Sequence, residues 1–279
     1  MKRLAAVTAS CFALALAGGA MTFAIANAQT PSAVKVDAAL STAIANPARA
    51  EANRMRDAHR HPAETLAFFG VKPGMTVIEI SPGGGYYTEI LSPYLKAGSG
   101  KYIATGNPIA SLSDQAKWGA QAYVPFNATS GALAPAGSAD MVVTFRNIHN
   151  WMWQPNMLDK AMTDFAAALK PGGVLGVEEH RADPRPETVA GTRSASDGYV
   201  SKATIVAAAK KAGLVLEAEF EINANPKDTK DHPFGVWTLP PMSQSAPRGG
   251  GEAPAGFDPA KYKAIGESDR HTLRFRKPA

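Results

Sequence analysis

The run Val77-Ile78-Glu79-Ile80-Ser81-Pro82-Gly83-Gly84-Gly85-Tyr86 restricts the fold of this chain more than any other segment. Met75 to Ile80 is a short apolar stretch of the kind that is buried on both faces of a parallel sheet. It runs straight into glycines, and a helical pattern from Tyr86 to Lys96 follows. Glycines at such a turn let the main chain approach a ligand, and the free N–H groups of the next helix favour a negatively charged one. The functional reading is a nucleotide or nucleoside site. The plain alternative is a tight loop that needs positive φ.

Strand and helix patterns alternate downstream. Lys101 to Thr105 reads as a second strand, Ile109 to Gln121 as mostly helical, Tyr123 to Phe126 as a third strand and Met141 to Phe145 as a fourth. Asn156 to Leu169 reads as a helix, Val174 to Glu179 as a fifth strand, Lys202 to Ala212 as a helix and Leu214 to Ile222 as a sixth strand. Such alternation requires right-handed crossovers and predicts an α/β, doubly wound, mostly parallel sheet. Thr272 to Arg276 has no helix immediately before it, so it is expected as a seventh, antiparallel strand. Ahead of the sheet, Ser32 to Arg60 has helical spacing and Asn46-Pro47 signals the start of a second helix. Pro62 opens a helix over Ala63 to Phe69 that Gly70 ends. Between the last two strands, residues 240 to 259 are rich in Pro, Gly and Ser and are expected to form a mobile loop.

At the N-terminus, Lys2 and Arg3 precede an apolar run from Leu4 to Ile25, and Ala26-Asn27-Ala28 offers small residues for cleavage. Residues 1–28 therefore read as a signal peptide, with export, to the periplasm in a two-membrane cell, and no membrane span after cleavage. A retained anchor is the rival reading, weakened by Gly18, Gly19 and the polar residues within the run. Residues 29–60 would form a helical extension and 61–279 the main domain. Cys11 is the one cysteine and lies in the leader, which excludes disulfides and cysteine-based metal sites from the mature protein. The net charge of +5 falls to +3 without Lys2 and Arg3, and no Lys/Arg stripe interleaved with aromatics argues for nucleic acid.

The chain resembles the class I S-adenosylmethionine-dependent methyltransferases and, within them, a group of exported predicted methyltransferases. The residues that carry this are Arg60-His61-Pro62, Val71-Lys72-Pro73-Gly74-Met75, Glu79 with Pro82 to Leu91, Phe145 to Trp151, and Leu169-Lys170-Pro171-Gly172-Gly173. The resemblance spans about residues 54–241 and 268–278, and implies a Rossmann-like fold with S-adenosylmethionine as cofactor. The family's first motif, an acidic residue followed by alternate glycines, falls on Glu79, Ser81, Gly83 and Gly85, with Gly84 and Tyr86 in the same cradle. Two departures stand out. Ser81 occupies a usual glycine position, which is expected to bend the loop differently. No acid lies between Glu89 and Asp114, where a ribose-binding carboxylate is normally found at the end of the second strand. Asn107 is the substitute there, a weaker neutral partner.

In a sheet of that order the first and fourth strands meet at the switch point, so Arg146, Asn147, His149, Asn150 and Trp151 should face the loop's ligand. His149 is the candidate base, Asn147 or Asn150 the orienting group, and Arg146 a binder of a carboxylate or phosphate on the acceptor. The alternatives are a structural histidine, and an ion pair of Arg146 with Glu79 or Glu178. Glu178 and Glu179 must point to opposite faces of the fifth strand, so at most one can line the cleft. His59 and His61 have too few companions for a metal site, and no metal is expected. Glu79-Ile80-Ser81-Pro82-Gly83 lacks the first glycine of a serine nucleophile elbow. Asp231-His232-Pro233 and Trp237 could form a lid, a packed loop being the plainer reading. The expected function is a methyltransferase acting on a small-molecule or envelope-associated acceptor. An exported, non-catalytic ligand-binding protein is the alternative, and dinucleotide oxidoreduction ranks third.

Overall fold

A computed structural model of the protein describes residues 34–184 and 195–279. The leader expected over residues 1–28 lies outside them. Three short helices, α1 (Ala38–Ile44), α2 (Glu51–Arg54) and α3 (Asp57–Arg60), precede α4 (Pro62–Phe69), where two helices were expected before it. Asn46-Pro47 begins no helix, because the Asn46 side chain instead accepts from the Ala48 N–H at 2.9 Å and closes a turn. α4 behaves as its ends dictate, with proline in its first turn and Gly70 in the left-handed conformation at φ 84°.

The sheet strands are β1 (Thr76–Ile80), β2 (Lys101–Thr105), β3 (Gln121–Val124), β4 (Ala139–Phe145), β5 (Leu169–His180), β6 (Val215–Glu219) and β8 (Arg270–Arg276), while β7 (Pro233–Val236) stands apart. Their spatial order is β3-β2-β1-β4-β5-β8-β6. β1 pairs in parallel with both β2 and β4, whereas β8 runs antiparallel to β5 and β6. This is the doubly wound, mostly parallel sheet with an antiparallel last strand. The crossovers carry α5 (Thr88–Lys96), α6 (Gln115–Trp118), α7 (Ile148–Trp151), α8 (Met157–Ala168) and α9 (Lys202–Lys211). Helix content from Ile109 to Gln121 is limited to one 3-10 turn and α6, since Gly119 stops the chain at φ 87°. β5 starts at Leu169, so Lys-Pro-Gly-Gly is absorbed into the strand instead of preceding it.

Side chains from the two faces of the sheet build two cores. On one face Ile78, Ile80, Leu175 and Val177 pack with Met162 and Phe165 of α8 and Ile205 of α9. On the other, Val77, Met141, Val143 and Phe145 pack with α1, α4 and α5 through Leu40, Leu66, Phe69, Ile90 and Leu91. Alternation along the strands then predetermines the polar residues at their ends. Glu79 follows Val77 toward α5, Glu178 follows Val174 to the same side, and Glu179 follows Leu175 and Val177 to the opposite one.

The stretch expected to be mobile, 240–259, has no helix or strand up to residue 258, and its last residue opens a helix that the sequence reading missed, α10 (Pro259–Ile265). Asp258 caps α10 by accepting from Ala260 N–H, and Pro259 is in its first turn. No helix among the described residues is long and apolar enough to cross a membrane.

One glycine in β5 is required by packing. A Cβ at Gly176 would lie 2.6 Å from the Phe69 ring, well inside contact distance. Gly176→Ala is expected to destabilise the protein by about 1–3 kcal/mol through overpacking, read from the midpoint of urea unfolding. An unchanged midpoint would mean that α4 does not press on β5 as described.

Candidate functional site

β1 and β4 part at the winding reversal, and the chain leaving each of them lines one cavity. It measures about 290 Å³. Ser81 to Gly84, Tyr86 and Tyr87 form one wall, Arg146, Asn147 and His149 another, and Arg56 and Arg60 close it from the N-terminal helices. The segment Val236–Met242 with Glu267 and Ser268 covers the remaining side, apart from His180.

The glycine loop is held open by its backbone. Ser81, Gly83 and Gly85 all have positive φ, at 49°, 58° and 85°. Ser81 therefore adopts the conformation that a glycine would take most freely, at some cost in strain, and its N–H donates to Thr105 Oγ1 at 2.8 Å. A Cβ at Gly83 or Gly84 would meet nothing within 4 Å, whereas one at Gly85 would lie 2.6 Å from Leu112 Cδ1. Gly85 thus packs against the segment after β2 and does not line the cavity, and its N–H donates to Pro82 O at 3.0 Å. The N–H groups of Gly83, Gly84 and Tyr86 make no hydrogen bond among the described residues. Regular helix begins two residues later than the pattern predicts, at Thr88.

Glu79 lies beneath this loop. Its Oε2 accepts from Tyr102 Oη at 2.5 Å and from Thr88 Oγ1 at 3.2 Å, joining β1 to β2 and α5. Burial lifts its carboxyl from 4.5 to about 7, against the pull of Tyr102, Thr88 and Arg146.

Across the cavity Arg146 holds another non-glycine positive φ, 59°, and its N–H donates to Glu178 O at 2.7 Å. Its guanidinium donates to Glu178 Oε1 at 2.5 Å, so of the two partners foreseen the structure selects Glu178. Glu178 has no exposure and also meets Arg270 at 3.4 Å and the Tyr87 hydroxyl at 3.0 Å. Burial opposes the charge on Arg146, but the Glu178 and Glu267 carboxylates outweigh it and raise its pKa. Asn147 Nδ2 donates to Ile80 O at 2.9 Å. That bond ties the end of β4 to the end of β1, which makes Asn147 a positioning residue.

His149, on α7, is 4 % exposed and has the partner that sequence could not supply: Nδ1 lies 2.9 Å from Glu179 Oε1. Glu179 has no exposure, and its Oε2 accepts from the Ile148 N–H at 2.5 Å. Neither glutamate lines the cavity; each supports a residue that does. His180 reaches Ser268 Oγ at 2.6 Å through Nδ1. Burial, with His149, Arg146 and Arg270 nearby, holds the His180 imidazole well below its usual range, so it is neutral at pH 7. An imidazole with one nitrogen fixed and the other unpartnered can serve as a base or as a ligand.

Three further residues expected to face the ligand do not line the cavity. Asn107 is exposed and outside the cavity lining, because the end of β2 is occupied by Thr105 holding Ser81. Asn150 is outside the lining as well, and Trp151 turns into the core against Phe126 and Phe165. Asp231-His232-Pro233 is packed, as the plainer reading has it, with His232 Nε2 2.8 Å from Asp228 Oδ1, while Trp237 does line the cavity. The sequence reading missed a charged group behind the cavity: Glu267 meets Arg56, Arg60 and Arg270 at 2.8, 2.9 and 2.8 Å. Its only sequence signal was the polar block Glu267 to His271 ahead of an apolar-alternating strand.

Two solved structures match with a TM-score of 0.50. One is the [4+2]-cyclase SpnF, at 14 % identity over 90 % of this chain and 89 % of that one. The other, from Galdieria sulphuraria and named as a candidate sarcosine dimethylglycine methyltransferase, is 16 % identical over 81 % of this chain and 85 % of its own. The chain shares its fold with these proteins. A methyltransferase from Aquifex aeolicus, dependent on S-adenosylmethionine, aligns at 18 % identity over 68 % of this chain and 94 % of that one, with a TM-score of 0.48. Compared by sequence, the chain matches no family model and no curated protein.

For the cofactor that the sequence resemblance implies, the residues fit at one end. The open loop with free N–H groups suits a nucleoside or an anionic group, while the end of β2 offers no carboxylate to a ribose. The cavity is at the bottom of the usual ligand-pocket range of about 300–1,000 Å³.

Glu79 yields a test by pH. Its folded pKa of about 7 is above the ordinary 4.5, so its contribution to stability is complete below about 4.5 and lost as pH rises through about 7. Glu79→Gln, which keeps an acceptor for Tyr102, is expected to gain on the wild type steadily between those limits in urea unfolding. A difference independent of pH would show that Glu79 is ionised in the fold throughout.

Proposed function

We propose that the protein is an S-adenosylmethionine-dependent methyltransferase whose reaction centre is the cavity between the glycine loop and His149. The observation that carries this is the set of N–H groups at Gly83, Gly84 and Tyr86 that are unpartnered among the described residues, across the cavity from a fixed arginine and an oriented imidazole. S-adenosylmethionine, when bound, supplies an electrophilic methyl group. The chain's own residues then orient and activate the acceptor, which is most of what an in-line displacement asks of an enzyme.

Arg146 brings a permanent positive charge, held in place by Glu178, that suits a carboxylate on a bound molecule. His149, fixed by Glu179, activates the acceptor. Asn147 holds the two strand ends at the spacing that makes the cavity. Tyr86 Oη donates to Asp57 Oδ1 at 2.5 Å and its ring lies 4.5 Å from the Arg60 guanidinium, so the N-terminal helices cover this end of the loop. The acceptor is a small molecule or an envelope-associated group, in keeping with the export signal read in residues 1–28.

The second reading, a ligand-binding protein without catalysis, draws on the missing carboxylate at the end of β2 and on the modest cavity volume. That the same fold serves a protein named as a cyclase shows that the fold does not decide the chemistry.

Titration calorimetry with S-adenosylmethionine, S-adenosylhomocysteine and NAD separates these readings. Binding of the first two with Kd in the micromolar range or weaker, and none of NAD, is expected. No heat with either at high protein concentration would remove the proposal. In assays of S-adenosylhomocysteine release over small hydroxyl, thiol and amine acceptors, His149→Ala is expected to slow turnover by about 100-fold or more with cofactor affinity nearly intact. Equal losses in both would make His149 a structural residue.

A further inference from the structure

Glu178 and Glu179 are adjacent and both fully buried, but their charges are treated differently. Glu178 meets two arginines. Glu179 meets no lysine or arginine among the described residues, and its one ion-pair partner is His149. A buried carboxylate without a permanent cation costs several kcal/mol unless a positive charge is brought to it. Its position is nevertheless rigid: Oε1 accepts from the His180 N–H at 2.9 Å and Oε2 from the Ile148 N–H at 2.5 Å.

Two imidazoles stand beside it. The rings of His149 and His180 are 5.2 Å apart between centroids, and both residues line the cavity. Each has Nδ1 held, by Glu179 and by Ser268, and neither Nε2 is hydrogen bonded among the described residues. One donor atom from each of His149, Glu179 and His180 can be chosen so that all lie within 4.8 Å of one another. Ligands about 2.1 Å from one ion are separated by about 3–4 Å, so an adjustment of a few tenths of an ångström to one ångström brings these together. The 2.9 Å separation of His149 Nδ1 and Glu179 Oε1 is as suitable for two adjacent ligands as for a hydrogen bond. Arg146 and Arg270 are near enough to oppose a cation, and their pairing with Glu178 and Glu267 offsets part of that repulsion.

We propose that His149, Glu179 and His180 form a binding site for one divalent transition metal ion at the wall of the cavity. Two imidazoles and a carboxylate suit the zinc, cobalt and iron class better than magnesium or calcium, which prefer all-oxygen shells. The ion balances the buried carboxylate, and Trp153 and Trp237, with ring centroids 5.9 and 6.0 Å from that of His149, give the site an aromatic border. Facing the cavity, the ion polarises an acceptor hydroxyl or thiol, which is how His149 takes part in activation. That use rests on the proposed methyl transfer; the binding of the ion does not.

The test uses the untagged chain, stripped with a chelator and titrated with CoCl2, followed by ZnCl2 in competition. One equivalent of Co2+ with visible d–d absorption, displaced by Zn2+, is expected. His149→Ala and His180→Ala should each weaken binding about tenfold or more, and His59→Ala should leave it unchanged. Absence of bound ion, or affinity unaffected by either cavity variant, overturns the site. Should those variants fail to fold, X-ray absorption of the wild-type cobalt form decides: two imidazole ligands support the site, and none or one overturns it. Calorimetry with S-adenosylmethionine on the same preparation keeps the two proposals separate. Cofactor binding without the ion removes only the metal site, and the ion without cofactor binding removes only the methyltransferase reading.

Discussion

A carboxylate with no solvent exposure at the end of β5 sets the conditions for everything around it. Glu178 cannot be buried charged without partners, and it takes them from three parts of the chain: Arg146 after β4, Tyr87 beside the glycine loop and Arg270 in β8. Arg270 in turn meets Glu267, and Glu267 meets Arg56 and Arg60 on the N-terminal helices. One chain of alternating charges therefore runs from the sheet to the helices that roof the cavity. The antiparallel entry of β8 makes this possible, because it sets Thr272 opposite Glu178 and Arg270 opposite His180. Loss of Glu178 would leave Arg146 unpaired and loss of Glu267 would do the same to Arg56 and Arg60, so the two carboxylates order the cavity as a unit.

The pleat divides the cavity chemically. Glu178 on one face organises arginines, and Glu179 on the other organises imidazoles, so adjacent residues build a permanently cationic side and a side that can be neutral. A ligand spanning both would meet a fixed charge at one end and a lone pair or an ion at the other. The glycine loop completes the third wall with main-chain donors, which need no side chain to be charged.

Much of this was legible in the residues. The burst of apolar residues before Gly83 to Gly85 located β1, the loop and, through the order of later strands, the switch point at which Arg146, Asn147 and His149 converge. The opposed directions of Glu178 and Glu179 followed from the two-residue period of a strand. What sequence could not provide was pairing across distance. Nothing local links Glu267 to Arg60, 207 residues away, or His149 to Glu179. Asn107 was misplaced because a position at the end of β2 was assumed to face the ligand, whereas Thr105 takes that end and binds Ser81. Ser81 was expected to alter the loop; it instead accepts the left-handed conformation of the glycine it replaces. α10 was overlooked although Asp258 and Pro259 signal its start, because it adjoins the Pro- and Gly-rich stretch and one of its ring contacts, Tyr262 against His232, is tertiary.

Amide chemical shifts of the 15N-labelled protein titrated with S-adenosylhomocysteine examine the loop amides as ligand donors directly. The N–H signals of Gly83, Gly84 and Tyr86 should move together and saturate, while that of Gly85, already bonded to Pro82, moves less. Saturating shifts elsewhere with these three unmoved would place the ligand in another part of the molecule and contradict the account.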